Sequence, residues 1–360
     1  MSGGSASDAL HRRRDRWGKI ALLTAVVIFV VVIGLVAYLA IQVTRSVSSI
    51  PRDTTFIPTG SRPPSASSTS TTKQTYAAMN ILLIGSDYRP GEGERSDTFM
   101  VLHIPADRKS VYLVSYPRDM WVAIPGHGKA KINAAFSYGG VALAVSTLEN
   151  LTAARIDHVM VTDFSNFIQL VDTVGPITVD NPVASTKVVP DDYGISYDFT
   201  HAGPTFLSDG KMALSFVRER KNLPNGDLDR TLRQRAFVKA LALKVATPEV
   251  LANPVKLNEL IGDVGKYLKV DDGMTNDVIF SLALSLTGIR SGSQVHMVQA
   301  PITGFGTSSD GQSTDVVDVP GNTALGQALQ NDTMADFVAT HPKTEWGYTP
   351  PAPSPTATNS

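Results

Sequence analysis

One apolar segment, residues 20–43, limits the organisation of this chain more than any other feature. It contains no charged residue, and arginines at positions 12, 13, 14 and 16 precede it. A helix of that length rises about 36 Å, which is enough to cross a hydrocarbon core about 30 Å thick. The flanking arginines place residues 1–19 in the cytoplasm and the rest of the chain outside the cell. We therefore predict a transmembrane helix. A cleaved signal peptide is the alternative, although the run is longer than an ordinary signal core and no small-residue cleavage site closes it.

Two low-complexity segments flank the remaining sequence. Residues 44–75 are rich in Ser, Thr and Pro, and residues 344–360 are rich in Pro. Such compositions bury too little apolar surface to offset the entropy of ordering. They predict a flexible linker and a disordered tail on either side of a folded domain at 76–343.

The chain has no cysteine, which excludes disulfides and thiolate chemistry. Its net charge of −1 means that binding nucleic acid would require a local basic patch.

Apolar periodicity within 76–343 alternates between strands and helices. Six short apolar runs are typical of strands, at 79–87, 97–105, 110–120, 158–164, 176–182 and 294–302. Helical patterns cover 131–140, which ends at a Gly-Gly pair, and then 141–151, 164–175, 277–288 and 323–340. Residues 190–204 are polar and read as a loop. The alternation predicts an α/β domain with helices on both faces of a sheet.

Residues 214–238 concentrate basic side chains in a nearly neutral chain. The stretch contains Arg218, Arg220, Lys221, Arg230, Arg233 and Arg235, with Asp227, Asp229 and Gln234. It predicts a helix beginning near Asp229, with one face formed by Arg230, Arg233, Gln234 and Phe237. Cations in a first helical turn oppose the macrodipole, which favours anions there by about 0.3–1 kcal/mol, so a phosphate-like ligand is expected at that end. A solvated basic face behind an N-cap aspartate is the alternative.

Two further clusters carry charge beside predicted strands. Asp87 and Asp97 lie beside the ends of two strands joined by one loop, and paired carboxylates of this kind suit Mg²⁺. Two solvated turn aspartates would give the same spacing. Arg118 and Asp119 follow the next strand, and arginine presents a planar fork that suits phosphate. An ordinary surface ion pair is the alternative there.

Other chemistries fit the sequence poorly. It contains neither a G-x-S-x-G elbow nor an H-E-x-x-H helix, and the loop RPGEGERS lacks the Lys-Ser/Thr ending of a phosphate-binding P-loop. The seven histidines are scattered and do not pair at metal-ligand spacing. We therefore expect them to be structural or exposed.

Taken together, six ordered motifs resemble a known family. They are GSDYR, RSDT, SYPRDMWV, KINAAFSYGG, VRERK and NGDLDRTLRQ. In this order they are similar to the LytR-CpsA-Psr family of bacterial cell-wall glycopolymer ligases, over about 79–340. The resemblance implies a three-layer α/β/α sandwich with a central mixed sheet and a deep apolar pocket for a polyprenyl chain. It also implies a single N-terminal membrane anchor and an extracytoplasmic catalytic domain.

The resemblance also implies roles for particular residues. Asp87 and Asp97 match metal-binding aspartates, with Mg²⁺ as the expected cofactor. A pyrophosphate clamp is matched by Arg118, Arg218, Arg220, Arg230 and Gln234. Asp227 matches an aspartate proposed to act on the acceptor hydroxyl, and Asp227 and Arg118 are the expected catalytic residues. Asp229 departs from the family, which often has glycine at this position, and it adds negative charge near the expected phosphates.

The implied function is a phosphotransferase of cell-wall assembly. It would move a glycopolymer phosphate from a polyprenyl-pyrophosphate carrier to peptidoglycan, and nucleic acid would not be a partner. Phosphoryl transfer needs positioning and charge neutralisation more than covalent work by the protein, which suits clustered arginines and Mg²⁺. Two alternatives remain: a wall-associated pyrophosphatase that uses the same residues, and a membrane-bound transcriptional regulator. The predicted extracellular position of the basic stretch argues against the regulator.

Overall fold

The structure is a computed structural model that describes residues 50–66, 76–89, 93–190, 194–245, 247, 250, 253–285, 288–289 and 291–342. Its strands are β1 (Arg52–Asp53), β2 (Met79–Arg89), β3 (Gly93–Ile104), β4 (Val111–Tyr116), β5 (Trp121–Ile124), β6 (Gly128–Lys131), β7 (His158–Asp163), β8 (Ile177–Asn181), β9 (Val189–Pro190), β10 (Ser196–Tyr197), β11 (Gly203–Leu207), β12 (Lys269–Asp271), β13 (Val295–Gln299), β14 (Ile302–Thr307) and β15 (Ser313–Val317). Its α-helices are α1 (Ile132–Thr152), α2 (Phe164–Val174), α3 (Gly210–Arg218), α4 (Asp227–Val245), α5 (Pro254–Gly265), α6 (Asn276–Ser285), α7 (Val319–Gln330) and α8 (Met334–Thr340).

A mixed sheet forms the centre of the described part of the chain. Its seven strands run in the order β1-β12-β7-β2-β3-β4-β13. β2 pairs with β7 in parallel and with β3 in antiparallel register, and β4 pairs in parallel with β13. Every residue of β4 is buried, as expected for an apolar strand covered on both faces. The predicted central mixed sheet is confirmed.

Helices cover both faces of this sheet because its strands are apolar on both sides. In β2, Leu82 and Ile84 pack with buried residues of α1, α7 and α8, whereas Ile81 faces the opposite core, which includes side chains from α5 and α6. Successive side chains of a strand point to opposite faces, so one strand feeds both cores. A third apolar cluster joins α2, α3 and α4 to the β8–β11 hairpin. The result is an α/β/α arrangement.

The structure differs from the sequence prediction at several helix boundaries. α1 is one helix with a kink at Gly139 and Gly140, where we predicted two helices; Gly140 has a φ of 63°, which glycine adopts without strain. The predicted helix 323–340 is two helices, α7 and α8, separated near Asp332, which has a left-handed φ of 57°. α4 begins at Asp227, slightly before the predicted start. Within the predicted loop 190–204, Ser196–Tyr197 pairs with Val189–Pro190. The hairpins β5–β6 and β14–β15 and the helices α3 and α5 were not predicted.

The described part of the predicted linker, residues 50–66, packs onto the domain, which corrects the prediction of a flexible tether there. Arg52 pairs with Val270, so β1 forms one edge of the central sheet. Ile50 and Phe56 are each 6% exposed and lie in two different cores. The amphipathic character of this short segment is hidden in a Ser- and Pro-rich composition. The domain therefore begins before residue 76.

The predicted membrane helix at 20–43 and the predicted tail at 344–360 lie outside the described residues. Among the residues that the structure does describe, no helix has both the length and the apolar character required to span a bilayer.

Replacement of Phe56 tests whether residues 50–66 belong to the folded domain. Phe56→Ala should lower the free energy of unfolding by about 3–5 kcal/mol, because truncating a buried phenylalanine removes apolar burial and leaves a cavity. Urea unfolding would measure this. Phe206→Ala is the matched control, since Phe206 is 59% exposed and its loss should change stability little. Equal effects of the two substitutions would contradict the packing described here.

Candidate active site

A cavity of about 670 Å³ opens between the central sheet and the helices α2, α3 and α4. Its size is that of a small-molecule site. One part of the wall is apolar and consists of Leu83, Met100, Met160, Phe164, Phe167, Leu170, Leu214, Val217, Phe237, Val238, Leu241 and Leu268. Another part is strongly basic and consists of Arg118, Lys211, Arg218, Arg220, Lys221 and Arg230, with Gln234 beside them. The cavity therefore combines an apolar interior with a cationic region.

Three separate parts of the chain deliver the arginines to this cavity. Arg118 lies in the turn after β4, which ends at Tyr116 just before Pro117. Arg218 ends α3, a position at which a cation interacts favourably with the helix dipole. Its guanidinium lies 4.5 Å from the centre of the Phe164 ring. Arg230 lies in the first turn of α4, and Gln234 lies about one turn later. All five residues of the predicted pyrophosphate clamp, including the exposed Arg220, line one cavity.

Asp227 joins two of these arginines. Its Oδ1 lies 3.1 Å from Nε of Arg118 and 2.6 Å from Nη2 of Arg230. Charge-assisted contacts of this length fix geometry as well as adding stability. The side chain of Arg230 is only 5% exposed, so without such a partner its charge would carry an uncompensated desolvation cost. Asp227 therefore aligns guanidinium groups from two different elements.

Asp119 extends the same ionic network. Its Oδ1 lies 2.8 Å from Nζ of Lys131, at the end of β6, and its Oδ2 lies 3.7 Å from Nε of Arg118. Both Arg118 and Asp119 are only partly exposed, at 17% and 20%. The Arg118–Asp119 ion pair therefore belongs to a partly buried cluster and is not an isolated surface ion pair.

The unusual Asp229 has a local structural role. Its carboxylate accepts hydrogen bonds from the backbone N–H of Asn225, at 2.7 Å, and from the Asn225 side chain, at 3.2 Å. Gly226 between them has a φ of 54° and allows the tight turn that starts α4. Asp229 is 3% exposed, so its carboxylate stabilises the turn before the helix.

Arg233 does not join the site, which corrects its place on the predicted helix face, and neither does Arg235 from the same basic stretch. Arg233 is fully buried, donates to the carbonyl oxygens of Val183 and Phe199, and stacks 4.7 Å from the ring centre of Phe216. Arg235 is also fully buried and donates to Ser115 Oγ at 2.9 Å. Burial lowers the pKa of Arg233 to about 10 and that of Arg235 to about 9. Both are core residues of α4, whose cavity-lining face carries Arg230, Gln234 and Phe237.

The two predicted metal ligands are placed by the backbone alone, because the side chains of Asp87 and Asp97 lie outside the described residues. Both lie within the β2–β3 ladder rather than beside strand ends, which corrects the predicted position. The register passes from Ser86–Ser96 to Gly85–Thr98 and so skips Asp97, which marks a β-bulge. Gly85 and Thr98 line the cavity. The backbone of both aspartates therefore lies in the ladder whose Gly85 and Thr98 line the cavity.

Sequence reasoning missed one carboxyl group of this region, Asp315 in β15. It is 5% exposed, and its backbone N–H donates to the carbonyl oxygen of Asp119 at 2.9 Å. Burial raises the pKa of Asp315 to about 7, with a further contribution from the carboxylates of Asp119 and Asp227 that Lys131 and Arg118 only partly offset. No local motif marks this residue, because the contact joins segments far apart along the chain.

Comparison with known proteins was consistent with this geometry. The model of the LytR_cpsA_psr family matches residues 60–331. Polyisoprenyl-teichoic acid–peptidoglycan teichoic acid transferase TagU of Oceanobacillus iheyensis is 32% identical over 240 residues, which are 65% of this chain and 69% of the relative. Probable cell wall biosynthesis protein LcpB of Corynebacterium glutamicum is 33% identical over 250 residues, 64% of this chain and 56% of the relative.

Solved structures show the same architecture. The crystal structure of B. subtilis TagV superposes with a TM-score of 0.61 at 25% identity and covers 72% of this chain and 98% of that protein. A structure of TagT bound to LIIa-WTA superposes with a TM-score of 0.56 at 27% identity, over 72% of this chain and 91% of that protein.

The fold and the cavity define a class of α/β protein in which an apolar cavity adjoins a cluster of arginines. The chain belongs to the LytR-CpsA-Psr family.

Binding of inorganic pyrophosphate tests the assignment of the cationic region. Arg118→Ala should weaken binding about tenfold or more, because a hydrogen bond to a charged group contributes about 1.5–3 kcal/mol. Isothermal titration calorimetry would measure the affinity. Arg155→Ala is the matched control, since Arg155 lies outside the cavity wall and contacts Asp157 at 3.8 Å. An unchanged affinity of the Arg118 variant would remove Arg118 from the site.

Substitution of a core arginine of the basic stretch should lower stability and leave pyrophosphate affinity unchanged. Arg233→Met should lower the free energy of unfolding, because the carbonyl groups of Val183 and Phe199 lose their buried donor. The pyrophosphate affinity of the molecules that remain folded should be unchanged. Combined urea unfolding and calorimetry would separate the two effects, and a selective loss of affinity would place Arg233 in the site after all.

Proposed function

We propose that this protein is a phosphotransferase that moves a glycopolymer phosphate from a polyprenyl-pyrophosphate carrier to peptidoglycan during cell-wall assembly. One observation carries the proposal: four arginines from three separate segments and an extended apolar wall line the same cavity. Such a cavity fits an amphiphile with a charged head and a long apolar chain. The names of the relatives support it, since TagU is a teichoic acid transferase and TagT has been solved with LIIa-WTA.

The apolar wall would hold the lipid part of the donor. Side chains of α2, α3 and α4 face those of the sheet across this region, with Phe167 and Phe237 among them. Their rings pack with centres 5.1 Å apart. Each buried methylene of a prenyl chain would contribute about 0.8 kcal/mol. Binding energy from this remote part of the donor would hold the diphosphate in place for reaction.

The basic region would neutralise the diphosphate. Transfer forms a bond between the acceptor oxygen and the phosphorus that carries the glycan, and it breaks the bond from that phosphorus to the bridging oxygen. The lipid phosphate leaves with the extra negative charge. Arg118, Arg218 and Arg230 are partly or fully shielded from solvent, so they act on this charge more strongly than exposed groups would. Arg220, which is exposed, would attract the donor to the mouth of the cavity.

Asp227 would have two tasks at this site. The first is to hold Arg118 and Arg230 in one arrangement, which its two short contacts support. The second, which the family resemblance implies, is to orient the acceptor hydroxyl. The side chain of Asp227 is 13% exposed, so part of its carboxylate remains accessible.

Mg²⁺ is proposed as the cofactor, with Asp87 and Asp97 as its protein ligands. Carboxylate oxygens suit this hard cation, and both residues belong to the β2–β3 ladder, whose Gly85 and Thr98 line the cavity. When bound, the ion would supply positive charge to the diphosphate oxygens. The arginines would act on the same group from the opposite elements, α3 and α4.

Magnesium dependence can be tested with one substitution. Asp97→Asn should raise the Mg²⁺ concentration needed for half-maximal pyrophosphate binding, because it removes one anionic ligand. Calorimetric titration of pyrophosphate at a series of Mg²⁺ concentrations would show the shift. Asp107→Asn, at the exposed turn after β3, provides the control. Identical Mg²⁺ dependence in the two variants would exclude Asp97 as a ligand.

We further propose that residues 20–43 anchor the enzyme in the cell membrane, with the catalytic domain outside the cytoplasm. The polyprenyl carrier is confined to the bilayer, so an anchored enzyme meets it in two dimensions. Transcriptional regulation receives no support from the site, because most of its basic side chains surround a cavity and two others, Arg233 and Arg235, lie in the core.

A transfer assay tests the proposed reaction. Full-length chain, polyprenyl-pyrophosphate-linked glycan and peptidoglycan fragments should give lipid phosphate and a linked glycan in equal amounts. Arg218→Ala should reduce the rate by about two orders of magnitude, similar to removal of other donors that stabilise transition-state charge. Lys109→Ala, a substitution of an 81% exposed side chain, is the control. Release of lipid phosphate without a linked product would show that the protein is a hydrolase.

A further inference from the structure

The β14–β15 hairpin places an additional acid against the ionic network of the site. The bridge between Met120 and Asp315 joins β15 to the turn that carries Arg118, and the backbone N–H of Asp315 donates to the Asp119 carbonyl oxygen. This contact depends on the backbone alone. A substitution of the Asp315 side chain therefore leaves the main-chain link between the hairpin and the turn in place.

The Asp315 carboxyl group is enclosed by charged neighbours. Asp119 and Asp227 interact unfavourably with its ionised form, whereas Lys131 and Arg118 favour that form. Its Oδ2 is buried and accepts no hydrogen bond from the described residues. An ionised carboxylate in such a place is costly, so the group keeps its proton to a higher pH than an exposed aspartate does.

Protonation of Asp315 changes the net charge of the whole ionic cluster. The cations are Lys131, Arg118 and Arg230, and the other acids are Asp119 and Asp227. With Asp315 protonated, this group of side chains has one net positive charge. With Asp315 ionised, it has none. The favourable field on an anion beside Arg118 should be stronger in the protonated form.

We propose that Asp315 is a further positioning residue of the transfer reaction, which takes or releases a proton beside the Arg118–Asp119 turn and so sets the charge that Arg118 and Asp227 present to the diphosphate. The inference rests on the proposed function only in placing an anion beside Arg118. Donor binding is favoured while Asp315 carries its proton. Departure of the more highly charged lipid phosphate is favoured when the proton is lost to solvent.

Sulfate is a suitable probe, because it remains a dianion over the relevant range and carries no lipid. Calorimetric titration of the full-length chain from about pH 5 to about pH 9 spans the pKa of Asp315. The dissociation constant of the wild-type chain should rise several-fold as the pH increases through about 7. Asp315→Asn should keep the tighter affinity throughout, and Asp315→Glu should restore the pH step. Asp310→Asn, at the exposed turn of the same hairpin, should retain the wild-type step.

Thermal unfolding provides a check that the variant is folded. The pKa of Asp315 is higher in the folded chain than its ordinary value of 3.8, so the folded state loses stability relative to the unfolded state as the pH rises from about 4 to about 7. Asp315→Asn should therefore melt at a higher temperature than the wild-type chain above pH 7, with a smaller difference near about pH 5.

The outcomes separate this inference from the proposed function. If Asp315→Asn binds sulfate with the same pH step as the wild-type chain, the step belongs to another group and the inference fails, while the transferase proposal stands. If the wild-type chain does not bind sulfate or pyrophosphate at any pH, the phosphate site itself is wrong. Loss of the step only in the Asp315→Asn variant, with rescue by glutamate, is the result that supports the inference.

Discussion

The site depends on one carboxylate that bridges two guanidinium groups. Asp227, at the start of α4, contacts Arg118 from the turn after β4 and Arg230 from its own helix. Two positive charges repel each other, and at low exposure water screens them poorly. Arg118 and Arg230 can therefore lie close together only with a shared anion between them. The bridge also ties α4 to the β4 end of the sheet, and the same helix lines the cavity with Gln234 and Phe237. The geometry of the cationic region and the shape of the apolar wall thus have a common origin.

A second consequence of this arrangement is a division of labour among arginines that are close in sequence. Arg230 faces the cavity, whereas Arg233 and Arg235 lie in the core, where aromatic rings, carbonyl oxygens and Ser115 surround them. Arg235 lies five positions after Arg230 and so on a different side of the helix. Arg233 is only three positions after Arg230, and its hydrogen bonds to Val183, Ser185 and Phe199 hold it in the core. The buried pair fixes the helix against the segment between β8 and β11 and against β4 of the sheet. The cavity-facing residues can then be held accurately for a ligand.

The sequence predicted the sheet well and the site only in part. Strands such as β2 and β4 are apolar runs that the sequence itself marks. The family motifs identified five residues that all line the cavity, namely Arg118, Arg218, Arg220, Arg230 and Gln234. Residues 50–66 were misread because their few buried side chains are diluted by Ser, Thr and Pro. The roles of Arg233 and Asp315 could not be predicted, since both depend on partners brought together by the tertiary fold. The membrane helix, the Mg²⁺ site and the catalytic roles stay predictions.

The central claim is that one cavity holds both the diphosphate and the lipid chain of the donor. A crystal structure of the protein with a polyprenyl pyrophosphate tests it most directly. Our account predicts that phosphate oxygens lie within hydrogen-bond distance of Arg118 and Arg230, and that the prenyl chain runs between α2 and α4, near Phe167 and Phe237. A diphosphate bound elsewhere on the protein, or a prenyl chain outside this cavity, would contradict the account.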